Sequence, residues 1–396
     1  MKAETNSTHI AFLARIQPER LAEDLWRLVG VPSPTRRERE VALLFAKMLI
    51  AAGAEVEVDE TLPNSPNVVG RLSGKRPGKV LQLAGHLDHI DVDHAEPKRT
   101  AQIISGRGSA DMKCGLAGIL EIVRILNESG CDFPGQILVT AYGLHEAPLG
   151  DSRGLLNLID RKILGDAAIV FEGFQDRAIV MGKGQSIWNI NVTRQGDVCH
   201  ELRREPETDN LLETVVRIVQ QLREKNSEFL QARHQYPLLG PQSVFVGQVH
   251  YGDFYNRVPS QAFLQGTWRW HPGRSFKDVQ KELKKLVAKI PRANNITIED
   301  SWIFVGEAFT FDPEERIVHA LKEAYATVTG KTMELAGSSA ILDVNRLVPF
   351  GKIPAVSISL DGARAHADYE YVQLDHMETS CRVALLTVLN YLNMER

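Results

Sequence analysis

The stretch at residues 81–116 reads LQLAGHLDHIDVDHAEPKRTAQIISGRGSADMKCGL, and it joins a predicted strand to a predicted helix. The apolar run from Val80 to Ala84 predicts a buried strand that delivers His86 and Asp88 at its C-terminal end. Side chains two residues apart in an extended segment lie on the same side, so we expect the Asp88 carboxylate to orient the His86 imidazole. This strand end is therefore a candidate metal-binding position.

One helix start is predicted on each side of this strand. Downstream, the turn at residues 106–108 leads to Asp111, where we expect a helix to begin and to end near Gly130. Its apolar face would consist of Leu116, Ile119, Leu120, Val123 and Leu126. An aspartate at a helix N-terminus is favoured by the helix dipole, and its carboxylate is also a metal-ligand candidate. Upstream, Thr35 and Glu38 match a capping box at the start of another helix.

Three more predicted strands end in possible ligands. The apolar run at residues 137–141 precedes His145 and Glu146, the run at 167–171 precedes Glu172, and the run at 355–360 precedes His366. In open α/β sheets, ligands collect at the carboxyl ends of the strands. Any single histidine or carboxylate would more often be an ordinary surface residue, and we interpret His89 and His94 as loop residues. The combined set suits divalent metal ions; it comprises His86, Asp111, Glu146, Glu172 and His366.

Composition narrows the class of protein. The chain has 396 residues, 43% of them hydrophobic and 24% charged, which is typical of a globular protein of about two domains. A net charge of −4 argues against nucleic-acid binding, and no apolar run approaches the roughly 18 residues of a membrane span. The N-terminal MKAETNSTHI lacks a signal-peptide pattern, and the four cysteines have no metal-binding or disulfide spacing. We therefore expect a cytoplasmic protein with no membrane or nucleic-acid partner.

The pattern of predicted elements changes after residue 182. Strands and helices follow in the order βαββαβ, which is typical of a ferredoxin-like α+β domain, and Ser275 with Asp278 caps its second helix. This region lies between Glu172 and His366, which both belong to the predicted metal site. The chain is therefore predicted to have a discontinuous α/β domain at residues 1–181 and 298–396, a mixed sheet flanked by helices. A ferredoxin-like domain is inserted at residues 182–297.

Several motifs together resemble those of the M20 zinc-peptidase family, which includes acetylornithine deacetylase, succinyl-diaminopimelate desuccinylase, aminoacylase and glutamate carboxypeptidase. They are GHLDHIDV at residue 85, GRGSADMKCG at 106, HEAPLGDSRG at 145, the glutamate after AAIVF, and AHADYEYV at 365. The resemblance implies two divalent ions, zinc by expectation, with cobalt or manganese as alternatives. It implies that Asp111 bridges the ions, with His86 and Glu172 on one and Glu146 and His366 on the other. Family members use the inserted domain as a lid or for dimerisation, so a homodimer is expected.

The same resemblance implies roles for residues outside the metal cluster. His200 matches a histidine that polarises the scissile carbonyl, often from a partner subunit, while Asn256 and Arg269 match substrate contacts. Residues Gly337, Ser338, Ser339 and Asp343 match the loop of the substrate pocket. Arg269 suits this role because a guanidinium binds a carboxylate through two hydrogen bonds. From the residues alone, His200 is as well interpreted as a surface histidine and Arg269 as part of a cross-strand ion pair.

One departure from the family pattern concerns catalysis directly. Hydrolytic members carry two consecutive glutamates in the third motif, a general base followed by a metal ligand, whereas this chain has His145 and Glu146. A neutral imidazole can accept a proton from water, so His145 is predicted to replace the base. We expect a two-metal amide hydrolase, a deacylase or exopeptidase, that acts on a small N-acyl amino acid or dipeptide-like substrate with a free carboxylate. The alternative is a metal-binding, non-catalytic or regulatory homologue.

Overall fold

The computed structural model describes residues 11–204, 210–233, 235–361 and 364–393. The chain divides into two compact units. The first unit comprises Met1–Val180, Phe311–Ala336 and Leu342–Arg396, and the second unit comprises Met181–Thr310 and Gly337–Ile341. The first unit is therefore discontinuous. The second unit ends at residue 310 rather than at 297, because the strand predicted at residues 296–298 continues to Gly306.

The helices and strands have the following bounds. The helices of eight or more residues are α1 (Pro18–Val29), α2 (Arg39–Ala51), α3 (Cys114–Glu128), α4 (Arg153–Asp160), α5 (Asn210–Gln231), α6 (Phe276–Ala288), α7 (Arg316–Thr329) and α8 (Leu374–Asn393). The strands are β1 (Glu55–Asp59), β2 (Asn67–Ser73), β3 (Arg76–His86), β4 (Lys98–Arg99), β5 (Ile103–Ser105), β6 (Pro134–Tyr142), β7 (Ala167–Val170), β8 (Arg177–Gly182), β9 (Gly184–Arg194), β10 (Ser243–Tyr251), β11 (Gln261–Trp270), β12 (Ile296–Gly306), β13 (Phe309–Thr310), β14 (Glu334–Ser338), β15 (Ala355–Ser357) and β16 (Tyr371–Gln373).

A six-stranded mixed sheet forms the centre of the first unit, with the order β1-β2-β6-β3-β7-β15. Strands β6, β3, β7 and β15 run parallel, whereas β1, β2 and β6 pair antiparallel. Helices α2, α3 and α8 pack on the sheet, so strand residues such as Leu81, Leu83 and Ile137 are fully buried. The four predicted strands are confirmed, and parallel pairing brings their carboxyl ends to one edge.

Helix α3 begins at Cys114, later than predicted. The backbone of Asp111 is extended, with φ −126° and ψ 92°, so the prediction that a helix begins at this residue is wrong. The cause is a distant carboxylate: Oε1 of Glu370 accepts the N–H groups of Ala110 and Asp111 at 2.9 and 3.1 Å. These amides are satisfied without a helix, and Asp111 stays in a loop before α3.

The start of α2 also differs from the prediction. Glu38 precedes the helix, but neither its side chain nor that of Thr35 forms the expected capping box. The Thr35 hydroxyl instead donates to Oδ2 of Asp88 at 2.9 Å, and Oε1 of Glu38 accepts the N–H of Leu144 at 2.9 Å. Both side chains are buried and hold loops at the carboxyl edge of the sheet.

The second unit is a four-stranded antiparallel sheet with the order β10-β11-β9-β12, and its element order is β9-α5-β10-β11-α6-β12. This is the predicted ferredoxin-like arrangement. Its core is built from alternate residues of the strands and the apolar faces of α5 and α6, including Trp188, Leu264, Trp268, Val215 and Leu283. The predicted capping box of α6 is present, since the Ser275 hydroxyl accepts the N–H of Asp278 and the Asp278 carboxylate accepts the N–H of Ser275.

Candidate metal centre

The five predicted metal ligands lie together in the first unit. His86 ends β3, Glu146 follows β6 and Glu172 follows β7, while Asp111 and His366 lie in the loops before α3 and β16. His86, Glu146 and Glu172 are buried, and 51% of the His366 side chain is exposed. The parallel strands therefore bring donor atoms from distant parts of the chain to one place, with His366 on the solvent side.

Asp111 lies between the two histidines of this set. Its Oδ1 lies 3.1 Å from Nε2 of His86, and its Oδ2 lies 3.4 Å from Nε2 of His366. Oε2 of Glu172 lies 3.5 Å from Nε2 of His86, and Oε1 of Glu146 lies 3.1 Å from Nε2 of His366. A carboxylate that turns one oxygen to each of two donor groups has the arrangement expected of a ligand shared by two ions.

The donor atoms fit divalent metal ions. Among the residues that the structure describes, two groups have donor atoms within 4.8 Å of one another: His86 with His145 and Glu172, and His86 with Asp111 and Glu146. Imidazole nitrogens combined with carboxylate oxygens suit zinc and similar ions. Three carboxylates this close to one another repel each other unless positive charge lies between them, so the cluster favours cations. His145 is in one of these groups, although it was not predicted as a ligand.

The charges of the cluster shift the pKa values of its members. Burial lowers the pKa of His86, but hydrogen bonds to its acidic neighbours, Asp111 first, outweigh burial and leave this pKa well above its ordinary value. Hydrogen bonds to Asp111 and Glu146 raise the pKa of His366 to about 10. Burial and the charge of Asp111 raise the pKa of Glu146. A site that holds protons this firmly on its histidines stabilises positive charge at the positions where a metal ion would lie.

Asp88 organises two segments of the cluster, though not in the predicted way. Its carboxylate lies 3.6 Å from Nδ1 of His86, and it is the backbone carbonyl of Asp88 that accepts the hydrogen bond from Nδ1, at 3.0 Å. The carboxylate instead accepts the backbone N–H groups of His145 and Glu146, at 3.0 and 2.9 Å. Asp88 therefore fixes the imidazole through its main chain and the third motif through its side chain.

His145 lies in the cluster with both ring nitrogens facing acidic groups. Nδ1 lies 2.9 Å from Oδ1 of Asp343, and Nε2 lies 3.6 Å from Oε2 of Glu172. Its ring stacks on that of His86, with centroids 4.0 Å apart and an interplanar angle of 2°. Burial lowers the pKa of His145, but the charges of Asp343 and Glu172 and the hydrogen bond to Asp343 together outweigh burial and raise it to about 9. This imidazole is therefore held from two sides in the metal-free cluster.

The loop residue Asp343 was predicted to lie in the substrate pocket, and the structure gives it contacts to the metal cluster. Besides the bond from His145, its carboxylate accepts the Tyr142 hydroxyl at 2.7 Å, and its backbone N–H donates to Oε1 of Glu172 at 2.6 Å. Burial raises the pKa of Asp343, but the charge and hydrogen bond of His145 and the charges of Arg346 and His86 together outweigh burial and lower it, so Asp343 is ionised. An ionised carboxylate can only accept hydrogen bonds, and Nδ1 of His145 therefore carries a proton.

Two of the predicted substrate-site residues meet in the second unit. His200 precedes a short 3-10 turn, where its Nδ1 accepts the N–H of Leu202 at 3.2 Å. Its Nε2 lies 3.0 Å from the side-chain amide of Asn256; His200 is exposed and Asn256 is half-buried. The two residues form one polar patch of the second unit.

Arg269 and Gly337, both predicted for the substrate site, also lie in the second unit. The Arg269 guanidinium donates to the carbonyl of Ser339, and no carboxylate pairs with it among the residues that the structure describes. Burial lowers the pKa of Arg269. A Cβ on Gly337 would lie 2.6 Å from the carbonyl oxygen of Leu238, so only glycine allows this close approach of the loop. Arg269 is thus a partly buried cation beside the loop at residues 337–341, and the described residues do not form the cross-strand ion pair that was the alternative interpretation.

Two residues that support the cluster could not be assigned a role from the sequence. Glu370, inside the quoted motif AHADYEYV, accepts backbone N–H groups around Asp111 and the Arg107 guanidinium, which lies 3.2 Å away. Glu38 accepts the N–H of Leu144, next to the third motif. The only signal for Glu370 in the sequence was its position four residues after the predicted ligand His366. For Glu38 the sequence indicated a helix cap instead of a contact with the third motif.

No helix in the described part of the chain is long and apolar enough to cross a membrane. All four cysteines carry free thiols.

The chain is similar to known proteins in sequence and in fold. The chain is 23% identical to an N-formyl-4-amino-5-aminomethyl-2-methylpyrimidine deformylase of Halalkalibacterium halodurans, over 81% of this chain and 82% of that protein. It is 23% identical to a succinyl-diaminopimelate desuccinylase of Buchnera aphidicola, over 72% of this chain and 76% of that protein. A Bacillus subtilis structure, described as a dinuclear metal-binding peptidase from the M20 family, has the same fold, with a TM-score of 0.69 and 15% identity over 97% of this chain and 99% of that one.

The model of peptidase family M20/M25/M40 matches residues 83–390, a range that contains every predicted ligand and the whole second unit. This confirms the resemblance inferred from the motifs. The chain therefore belongs to peptidase family M20/M25/M40 and is a hydrolase of that family.

Proposed function

We propose that the protein is a two-metal hydrolase that cleaves a linear amide bond in a small substrate with a free carboxylate, such as an N-acyl amino acid or a dipeptide. The observation that carries this proposal is the position of Asp111, whose two oxygens face His86 and His366. Hydrolysis of amides by the deformylase and desuccinylase relatives supports the same reaction class.

Two divalent ions fit the donor set, and zinc is the ion we propose, with cobalt or manganese as alternatives. Asp111 would be shared, His86 and Glu172 would hold one ion, and Glu146 and His366 the other. When bound, such ions supply Lewis acidity for the amide carbonyl and make a water molecule more acidic. The chain's own contribution is positional: Asp88, Asp343 and Glu370 hold the ligand-bearing segments by hydrogen bonds.

Substrate recognition is proposed for the second unit. Arg269 is a partly buried guanidinium without a carboxylate partner in the described chain, which supports a role in binding the substrate carboxylate. The polar patch of His200 and Asn256 supports a role in hydrogen bonding to the scissile carbonyl. The loop at Gly337 lies beside Arg269 through Ser339, and this supports its assignment to the substrate pocket.

A homodimer through the second unit is also part of the proposal. Strand β10 lies at the edge of its sheet and exposes Phe245 and Val249, which are 62% and 46% accessible. Helix α5 exposes Leu212 and Val216. An exposed apolar edge strand favours pairing with a second copy. The free cysteine thiols support the proposed cytoplasmic location.

The test is turnover over a panel of N-formyl, N-acetyl and N-succinyl amino acids and dipeptides. Chelation should abolish hydrolysis, and added Zn²⁺ should restore it. The same substrates with the carboxylate converted to a carboxamide should be cleaved poorly, and Arg269→Ala should reduce this preference. The exposed carboxylate Asp91, which pairs with Arg37, provides a control, and Asp91→Asn should leave turnover unchanged. Metal binding without cleavage of any substrate would favour the non-catalytic alternative.

A further inference from the structure

Arg107 is a buried cation outside the set of predicted ligands, and its contacts connect the two loops that carry Asp111 and His366. Only 7% of its side chain is exposed, and it precedes Asp111 in the same loop. We infer that Arg107, together with Glu370, is a positioning residue that holds the loop of His366 against the loop of Asp111, so that both ligands face the same ion. This role rests on the proposed two-metal site and adds to it the group that keeps His366 in place.

The guanidinium of Arg107 reaches several partners at once. Nη1 donates to the carbonyl of Ala367 at 3.0 Å and lies 3.2 Å from Oε2 of Glu370. Nη2 donates to the carbonyl of Asp93 at 3.2 Å. Ala367 directly follows the ligand His366 in the chain. A guanidinium presents its N–H donors in a rigid planar fork, so it fixes the directions of its acceptors more firmly than a lysine ammonium does.

Glu370 carries the connection on to Asp111. Its Oε2 accepts the N–H of Gly108 at 3.1 Å, and its Oε1 accepts the N–H groups of Ala110 and Asp111 at 2.9 and 3.1 Å. Only 1% of the Glu370 side chain is exposed, and Arg107 supplies a positive charge beside this buried carboxylate. Both carboxylate oxygens are therefore used to hold the loop that carries the shared ligand.

His366 depends on support from outside its own side chain. Its side chain is 51% exposed, and its backbone has a φ of 62°, in the left-handed region that is unfavourable for a residue with a Cβ. Its Nε2 nevertheless lies 3.1 Å from Oε1 of Glu146 and 3.4 Å from Oδ2 of Asp111. Such a backbone conformation persists only where the surrounding contacts determine it. The bond from buried Arg107 to the carbonyl of the next residue, Ala367, is a contact of this kind.

The ligands of the other ion have different supports. Nδ1 of His86 donates to a backbone carbonyl at 3.0 Å, and Oε1 of Glu172 accepts the backbone N–H of Asp343 at 2.6 Å. Among the described residues, neither ligand is a hydrogen-bond partner of Arg107. Substitution of Arg107 should therefore weaken the ion that His366 would hold and leave the other ion bound.

The test measures two zinc affinities and does not depend on turnover. Metal-free protein is titrated with Zn²⁺ in competition with a chromophoric chelator, which gives two dissociation constants. Arg107→Lys keeps the positive charge but loses the rigid fork of donors, so we expect it to weaken one constant by roughly 10–100-fold, the range typical of losing an outer-shell partner. That constant should be the one that His366→Ala also weakens. Glu370→Gln should weaken both constants, because the loop of the shared ligand Asp111 loses an acceptor.

Two exposed ion pairs of the same unit provide matched controls. Arg37→Lys alters the pair with Asp91, and Glu60→Gln alters the pair with Arg39, and neither substitution should change a zinc affinity. Chemical denaturation of each metal-free variant measures any loss of stability separately.

Three results would overturn the inference. The first is lower stability of Arg107→Lys with both zinc affinities unchanged, which would make Arg107 a purely structural residue. The second is an equal loss of both affinities in that variant. Either result leaves the proposed function intact, whereas failure of the wild type to bind zinc would overturn both. If Arg107→Lys does not fold, Glu370→Gln decides, since unchanged affinities in that variant contradict the role of the pair.

Discussion

The imidazole rings of His86 and His145 are parallel to within 2°, and their centroids are 4.0 Å apart. Their Nε2 atoms approach the same oxygen of Glu172. This stack joins the first predicted motif to the third, and it replaces the arrangement of base and ligand that two consecutive glutamates would give. An imidazole whose two nitrogens face Asp343 and Glu172 therefore lies where the first of those glutamates would be.

Removal of the Asp88 carboxylate should destabilise the metal-free protein. Asp88→Ala leaves the buried N–H groups of His145 and Glu146 without their acceptor, and each costs roughly 1–3 kcal/mol. We expect a loss on the order of 2–5 kcal/mol in the free energy of unfolding of the first unit, measured by chemical denaturation. The exposed Asp91 provides the control, since Asp91→Ala should change stability by less than about 0.5 kcal/mol. Equal stability of the two variants would contradict this account of Asp88.

Metal binding should release protons, and metal affinity should therefore fall as the pH falls. In the metal-free cluster the pKa of the ligand His86 is raised well above its ordinary value and that of the ligand His366 to about 10, so both rings are charged at pH 7. A ligand must give up the proton of its donor nitrogen. Titration calorimetry in buffers of different ionisation enthalpy should show net proton release at pH 7. No proton release would contradict the raised pKa values.

Raised pKa values also predict how the stability of the metal-free protein depends on pH. The folded-state pKa values of His145 and His366 lie above the ordinary value of 6.5, so the folded state binds more protons than the unfolded state between about 6.5 and 10. Their contribution is fully present below pH 6.5 and is lost as the pH rises through 9 and 10. Thermal melts of chelator-treated protein should therefore show a midpoint that decreases from pH 7 to pH 10.

The proposed homodimer allows a complementation experiment. If each active site uses His200 of a neighbouring copy, an inactive His200→Ala chain and an inactive Asp111→Ala chain can together form one complete site. Mixed dimers should then regain part of the wild-type activity, measured after subunit exchange has been verified. Absence of recovery despite proven exchange would mean that His200 acts within its own chain or has no catalytic part.

Much of the fold could be predicted because its signals are local. Short apolar runs bounded by polar residues marked β3, β6, β7 and β15, and parallel strands place their carboxyl ends together, so His86, Glu146 and Glu172 were expected to meet. The βαββαβ order of the second unit followed from alternation and from the cap at Ser275. These features depend on neighbours in the sequence and not on distant partners.

The errors arose where a distant buried group competes with a local pattern. Asp111 has the sequence of a helix start, but the Glu370 carboxylate takes the amides that would begin the helix. Thr35 and Glu38 have the spacing of a capping box, but their side chains bond to Asp88 and Leu144. His145 contacts Asp343, 198 positions away along the chain, and no local residue pattern encodes such a contact.

The central claim is that Asp111 is shared by two metal ions, and the metal content of Asp111→Ala tests it most directly. Wild-type protein and the variant are loaded with Zn²⁺, freed of excess metal by gel filtration and analysed by inductively coupled plasma mass spectrometry, with circular dichroism to verify folding. We expect about two zinc ions per chain in the wild type and almost none in the folded variant, because each ion loses a ligand. A folded Asp111→Ala variant that retains two zinc ions would contradict the account.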